Sequence, residues 1–515
     1  MENTLKSNLI GQRDIRLEKL NKLQELGINP YPAKCYKEED IGNVLDNFSN
    51  WENKRTVLAG RLVAWREHGK LIFANIKDET GEIQVMLRQN GVVEDKEKDY
   101  LSWENLQLLD VGDFVELYGT ICKTRTGEIT IMAENVRLLT KAIRPIPRKL
   151  KNKEHEFRRR YLDLIITPER MELFKRKAMF WKVQRDFLQK NGFMEVEVPV
   201  LEAVTGGADA TPFITHHNAL HQDFYLRIST ELYQKRLIGA GYEKIYTLAP
   251  NFRNEGMDDE HLQEYYQLEW YWAYADFRDN MQLVKELFLE IANKVYGKTK
   301  FTTRGYTFDL ADEWKELDFT EVIKERFGVD VLNDSDDKLL KVIKDNKIEM
   351  GGDVNRNRII DSLWKTIRKE ISGPVFIINH PKFISPLAKS YEDNPDITQR
   401  FQVIIAGSEL GNGYSEINNP QDQLDRFLDQ QKLRDSGDSE AHMLDIDFVE
   451  MLEYGMPPTS GYGQSERIFW FLEDITGREG TFFPQMKTEI SNTTREIYGD
   501  KVKFPPKEKK EKKKK

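Results

Sequence analysis

Between residues 56 and 140 five short runs alternate apolar with polar side chains: Thr56–Val63, Leu71–Ile76, Glu82–Leu87, Asp113–Cys122 and Glu128–Arg137. A period of two puts one face of each run in a core and the other in water, which is the pattern of half-buried strands. Asp78-Glu-Thr-Gly81 and Arg125-Thr-Gly127 supply hairpin turns, and residues 94–109, helical or irregular, interrupt the strands after the third. Five strands with that interruption fit an OB barrel, a fold that commonly binds single-stranded nucleic acid. Phe73 and Gln84 fall on adjacent strands, where they can stack on and hydrogen-bond to unpaired bases; the alternative is that Phe73 is a core residue.

The barrel accounts for a small part of a 515-residue chain, which is too long for one core. Leu17, Leu20, Leu23 and Leu26 make one apolar stripe on a charged helix that Gly27, Pro30 and Pro32 stop. Residues 1–50 are therefore expected to be a helical extension and 51–142 the barrel. Residues 143–160 form a basic linker with Pro145 and Pro147, and 161–500 an α+β domain. Within it, Phe193–Val200 and Ser415–Ile417 read as strands, and the charged stretch of about 312–370 as an inserted helical subdomain. The tail 501–515 is expected to be disordered, since from Lys507 on it holds seven lysines, two glutamates and nothing apolar to bury. The net charge of −9 hides basic stripes at 141–160 and in the tail, which could meet a polyanion or be solvated surface. No run approaches a membrane span, the N-terminus lacks a signal-peptide layout, and Cys35 and Cys122 stand far apart, which suits a reducing cytoplasm.

Three segments carry chemistry: Asn251-Phe-Arg-Asn-Glu-Gly256, Glu409-Leu-Gly-Asn-Gly-Tyr-Ser-Glu416 and Gly461-Tyr-Gly-Gln-Ser-Glu-Arg467. Arg253 and Arg467 are interleaved with glutamates and glycines. Guanidinium forks stabilise charge on phosphoryl oxygens, while carboxylates hold a metal ion and an ammonium group. Activation of a carboxylate by ATP needs that combination. Taken singly, each of these residues has a plainer reading as a surface ion pair, a cap or a core aromatic.

The chain resembles class II aminoacyl-tRNA synthetases, and within them the lysine-specific branch, from residue 12 to residue 487. Three ordered motifs carry the resemblance: Asn191-Gly-Phe-Met-Glu-Val-Glu-Val-Pro199; Phe252-Arg-Asn-Glu-Gly256 with His261 and Glu264; and Gly461 to Arg467. Gly206-Gly-Ala208, Arg227-Ile-Ser-Thr-Glu-Leu-Tyr233, Ser385-Pro-Leu-Ala-Lys389 and Gly455-Met-Pro-Pro-Thr459 point to the lysine branch. The resemblance implies an antiparallel sheet with flanking helices behind the OB domain. It further implies activation of L-lysine to lysyl-adenylate, transfer to the 3′ end of lysine tRNA, and a homodimer formed through the first motif. By motif match, Arg253 grips the α-phosphate and the lysine carboxylate, and Arg467 the γ-phosphate. Glu255, Tyr265 and His261 serve ATP, and Glu409 ligates Mg2+. Glu231 and Glu269 hold the α-ammonium; Glu416, Asn412, Tyr271 and Tyr414 serve the side-chain end, and Gly207 leaves room for the amino acid. In the barrel, Phe73, Gln84 and Glu128 match the anticodon-reading positions.

Three departures stand out. The third motif is one residue short and lacks its third glycine, Gln402 replaces a metal-binding glutamate, and Leu262 replaces an asparagine beside ATP. Rival readings are another amino acid of the aspartate and asparagine subclass, and a non-catalytic RNA-binding paralogue. The acidic pocket residues oppose the first, and retention of Arg253, Arg467 and Glu409 opposes the second.

Overall fold

The computed structural model describes residues 2–350, 355–437, 441–499 and 501–503; most of the lysine-rich tail lies outside them. The chain divides into two compact units, Met1–Asn152 with Lys487–Lys515, and Lys153–Met486. These divisions fall inside the stretch expected to be a linker and before the expected end at residue 500. The C-terminal helix Asn492–Tyr498 belongs to the first unit, where Arg144 lies 5.6 Å from the Tyr498 ring. Lys141, at the start of the basic stretch, is fully buried and tied to Asp113 at 2.8 Å and Asp110 at 2.5 Å.

The first unit is a closed barrel of β1 (Arg55–His68), β2 (Leu71–Lys77), β3 (Glu82–Arg88), β4 (Phe114–Lys123) and β5 (Ile129–Thr140), in the order β1-β2-β3-β5-β4. Closure leaves no free sheet edge. Alternation sends Leu58, Ile76, Val85, Leu117 and Ile131 inward. The interruption after β3 consists of short 3₁₀ turns, including Glu104–Leu108. The N-terminal helix Glu2–Glu25 is longer than its leucine stripe suggested, and it buries Leu20 and Leu23 but not Leu26.

In chain order the strands of the second unit are β6 (Met194–Glu195), β7 (Leu201–Glu202), β8 (Ile214–His217), β9 (Gln222–Leu226), β10 (Lys244–Phe252), β11 (Glu264–Ala273), β12 (Lys300–Thr303) and β13 (Tyr306–Asp309). There follow β14 (Lys315–Asp318), β15 (Val375–Pro381), β16 (Ile397–Ile405), β17 (Ser408–Ser415) and β18 (Thr459–Ser465). Eight of them form one sheet, β14-β15-β16-β17-β18-β11-β10-β6, antiparallel except at its two ends, where β14–β15 and β10–β6 run parallel. The helices Pro168–Lys190 and Phe277–Ile291 contribute Phe180, Leu188, Val284 and Phe288 to a common core with sheet residues Leu268, Trp270, Phe401 and Tyr462. The second of these helices starts in a capping box between Asp276 and Asp279.

Three local expectations shift. The strand expected over 193–200 contracts to Met194–Glu195, and the one expected over 415–417 occupies Ser408–Ser415 instead. The stretch 312–370 is not wholly helical: it opens with β14, the parallel edge strand. Its three helices, Phe319–Phe327, Asp336–Asp345 and Arg356–Arg368, then close over Ile323, Leu339 and Leu363.

Candidate active site

A cavity of about 500 Å³ opens over one face of the large sheet. Alternation along β11 sends Leu268 and Trp270 into the core and Tyr265, Gln267, Glu269 and Tyr271 into the cavity. Gln267 links these four: its Oε1 accepts from the Tyr265 hydroxyl at 3.3 Å and its Nε2 donates to Glu269 at 3.3 Å, while the Tyr271 hydroxyl donates to Glu269 at 2.7 Å. β17 adds Glu409, Asn412 and Tyr414, and Glu416 follows directly. Glu231 enters as the first residue of the helix Glu231–Gly239. Gly207, at φ +85°, lies against that helix start; a Cβ there would meet the Glu231 Cβ at 2.8 Å. All thirteen residues expected at the ATP and lysine sites line this cavity.

One end is acidic and closed. Glu231, Glu269 and Glu416 are buried together, and the single cation among them is Lys235, itself buried. The Lys235 ammonium donates to Glu231 at 2.5 Å and forms an ion pair with Glu416; the Tyr414 hydroxyl donates to Glu231 at 2.6 Å. Thr230 Oγ1 donates to Glu269 at 2.8 Å. Burial pushes the Glu416 carboxyl well above the usual range; Lys235 opposes this and Glu231 reinforces it. Burial also raises Glu269, with repulsion from Glu231 added. Burial alone would lower Lys235, but Glu231 and Glu416 more than offset it and hold the ammonium above its ordinary value. Three carboxylates against one ammonium leave a deficit of positive charge. In a closed space, added cations are the direct remedy.

The other end is basic. Arg253, at the end of β10, lies 5.5 Å from the Tyr265 ring, and its Nε is shielded from solvent without a partner. Arg467 opens the helix that follows β18 and donates to the main-chain oxygen of Glu409 at 3.1 Å. The short third motif does not break its strand: β18 pairs with β11 as far as Gln267–Ser465, and Arg467 still lines the cavity. Glu255 and His261 sit on the exposed connection between β10 and β11, with His261 held by Asp258 at 2.8 Å. Leu262 is buried in the core at the cavity wall.

The Glu409 carboxylate accepts no hydrogen bond from the described residues, and no cluster of three acidic, His or Cys ligands exists among them. Gln402 is buried outside the cavity wall. One carboxylate at the cavity wall suits Mg2+, which takes one or two carboxylates and completes its shell with phosphate oxygens and water.

Several residues at the site were not anticipated: Gln267, Arg400 and Arg368 line the cavity, and Lys235 and Thr230 sit behind it, bonded to Glu231 and Glu269. A signal existed for Lys235, which stands four residues after Glu231 on one helix face. Arg400 reaches the site only through folding, donating to Asn412 at 2.9 Å and to Ser385 Oγ at 3.1 Å.

In the first unit, Ile72, Ala74 and Ile76 of β2 point into the barrel, so Phe73 is half-exposed on the outer face and not a core residue. Asn75 pairs with Gln84, and Phe73 with Met86, which sets Phe73 and Gln84 near each other. Thr130 Oγ1 donates to Gln84 at 2.9 Å and lies 3.2 Å from the main-chain oxygen of Glu128, which stands in the β4–β5 turn beside it.

Residues 152–487 match the family described as tRNA synthetases class II (D, K and N), and residues 56–139 match the OB-fold nucleic acid binding domain. A lysine–tRNA ligase of Fervidobacterium nodosum is 43% identical over 488 residues, spanning 93% of this chain and 94% of that protein. One from Thermotoga maritima is 43% identical over 486 residues (92% and 96%). One from Thermoanaerobacter pseudethanolicus is 42% identical over 482 residues (92% and 95%).

Proposed function

The chain belongs to the class II tRNA synthetases, and from that premise we propose that it activates L-lysine with ATP and transfers it to the 3′ end of lysine tRNA. The observation that carries the choice of amino acid is the buried group of Glu231, Glu269 and Glu416 with Lys235 as its one cation. An aspartate or asparagine side chain would worsen that charge deficit or leave it unmet; lysine brings two ammonium groups. The same acidic pocket and the presence of Arg253 and Arg467 at the cavity disfavour a non-catalytic paralogue.

Each residue takes a role that its surroundings support. Glu231 and Glu269 receive the α-ammonium; Glu416, with Asn412, Tyr271 and Tyr414, receives the side-chain ammonium; Gly207 leaves space between them. Arg253 holds the substrate carboxylate against the α-phosphate, Tyr265 lies under the base, Glu255 and His261 close the nucleotide side, and Arg467 takes the γ-phosphate. The lysine carboxylate is ionised at neutral pH, so no general base is needed. It attacks the α-phosphorus in line, pyrophosphate leaves, and the 3′-hydroxyl of tRNA then displaces AMP from the adenylate. Catalysis is positioning and charge stabilisation by the arginines. Glu409 would hold Mg2+, which when bound offsets phosphate charge.

Phe73, Gln84 and Glu128 read the anticodon by stacking and hydrogen bonds. The enzyme acts as a homodimer through the segment 191–199. Support comes from Met194, Val200 and Leu201, apolar yet between 41% and 46% exposed in the single chain, beside an open sheet edge. No helix among the described residues is long and apolar enough to cross a membrane, in keeping with work in the cytoplasm. The direct test is exchange of labelled pyrophosphate into ATP with lysine, aspartate, asparagine or arginine. Lysine alone should support it, and exchange with another of the four would overturn the assignment.

A further inference from the structure

We infer that Arg368, assisted by Lys365, grips the β- and γ-phosphates of the nucleotide, so that the inserted subdomain completes the polyphosphate site. This rests on the ATP-using reading above. The helix Arg356–Arg368 starts at Asn355, whose side chain accepts from the Arg358 amide at 2.9 Å. Its apolar residues Ile359, Ile360, Leu363, Trp364 and Ile367 are buried in the core of the inserted subdomain. That packing turns Lys365 and Arg368, three positions apart and hence neighbours on the helix surface, toward the cavity, which both line.

Arg368 stands there without an anion. Its Nε is shielded from solvent and has no hydrogen-bond partner, and none of the described carboxylates forms an ion pair with it. The Arg467 guanidinium is held below its ordinary value chiefly by burial, which Glu260 and Glu409 oppose and the charge of Arg368 reinforces, and its own Nε is also shielded and unpartnered. Two guanidinium groups converging in a partly enclosed space repel each other, and a polyanion between them reverses the sign of the interaction. Lys365 is more exposed and rests on Asp361 at 2.7 Å, so it supplies a second, more easily redirected charge.

The placement also answers a departure in the sequence. Gln402 is neutral where the resemblance calls for a metal-binding carboxylate, which leaves Glu409 as the one acidic ligand expected for a metal ion. Phosphoryl charge can be offset by metal ions or by guanidinium and ammonium groups. Here the second means stands at the cavity wall.

The test is equilibrium binding of ATP, pyrophosphate and AMP to the full-length protein and to Arg368→Ala, Arg368→Lys and Lys365→Ala, with lysine-induced stabilisation as the check on folding. Arg368→Ala should weaken ATP and pyrophosphate about tenfold or more and leave AMP, which lacks the β- and γ-phosphates, within about twofold. Arg368→Lys should recover part of the loss, and Lys365→Ala should cost less than Arg368→Ala. Unchanged ATP binding, or equal losses for ATP and AMP, would overturn the inference. Failure of the unaltered protein in lysine-dependent exchange, with the ATP-versus-AMP split intact, would instead sink the reading on which it rests.

Discussion

The two ends of the cavity are built on opposite deficits. At the closed end, Glu231, Glu269 and Glu416 outnumber Lys235; at the open end, Arg253, Arg467 and Arg368 have side-chain nitrogens without partners. Each end complements the charge of a ligand proposed for it, an amino acid with two ammonium groups at one and a polyphosphate at the other. Buried charge is costly when unpaired, so such deficits persist where ligand binding supplies the partner. The ends also differ in kind. The acidic end is a hydrogen-bonded network that fixes distances and so discriminates. The basic end is a convergence of forks that tolerates a flexible chain of phosphates.

The comparison breaks first at Glu416. Glu416→Gln keeps the shape but removes the charge that the side-chain ammonium meets, and kcat/KM for lysine should fall by on the order of 10⁴ in pyrophosphate exchange while ATP binding holds. Arg467→Ala attacks the opposite end and should lower the exchange rate by about 10²–10³ with lysine binding intact. Equal effects of both variants on both ligands would erase the distinction between the ends. Outside the cavity, Phe73→Ala should weaken tRNA binding by about 1–3 kcal/mol and leave exchange untouched, since adenylate formation does not involve the barrel.

The smallest effect is on pH. Glu269 and Glu416 have raised carboxyl values in the free protein, both chiefly through burial. The folded state therefore binds protons that the unfolded chain has already released. Their contribution to stability is full below the ordinary glutamate range and is lost as pH rises through the raised values. Lysine supplies the opposing charge. Its thermal stabilisation of the protein should accordingly grow as pH rises from 5 to 8, by a few degrees in Tm. A shift that shrinks over that range would show that these carboxylates are not where the ammonium binds.

Much of this was legible in the sequence, for a physical reason. Strand alternation fixes which side chains share a face, so the barrel could be read from residues 56–140, and the motif residues of β10, β11, β17 and β18 converge as the family resemblance implied. What escaped depends on packing between distant segments. Arg368 reaches the cavity only because an insertion folds back over the sheet through an edge strand, β14, hidden in a charged, helical-looking stretch. Lys235 could be read as an i+4 partner of Glu231, but its second carboxylate, Glu416, lies 181 positions later and arrives only through folding. The alternation of β2 placed Phe73 outside the barrel, although an isolated phenylalanine favours a core reading. The expected strand at 193–200 failed because Pro199 cannot donate to a ladder and only Met194–Glu195 finds a partner in β10.

The most direct test of the charge-complement account compares lysine with its neutral isostere L-2-aminoheptanoic acid, which keeps the α-ammonium and side-chain length but carries a methyl in place of the terminal ammonium, in pyrophosphate exchange. The buried Glu416 would be stranded against a methyl group, so kcat/KM for 2-aminoheptanoic acid should lie about 10⁴-fold below that for lysine. Values within tenfold of each other would mean that the acidic end does not read the ammonium, and the account would fail at its centre.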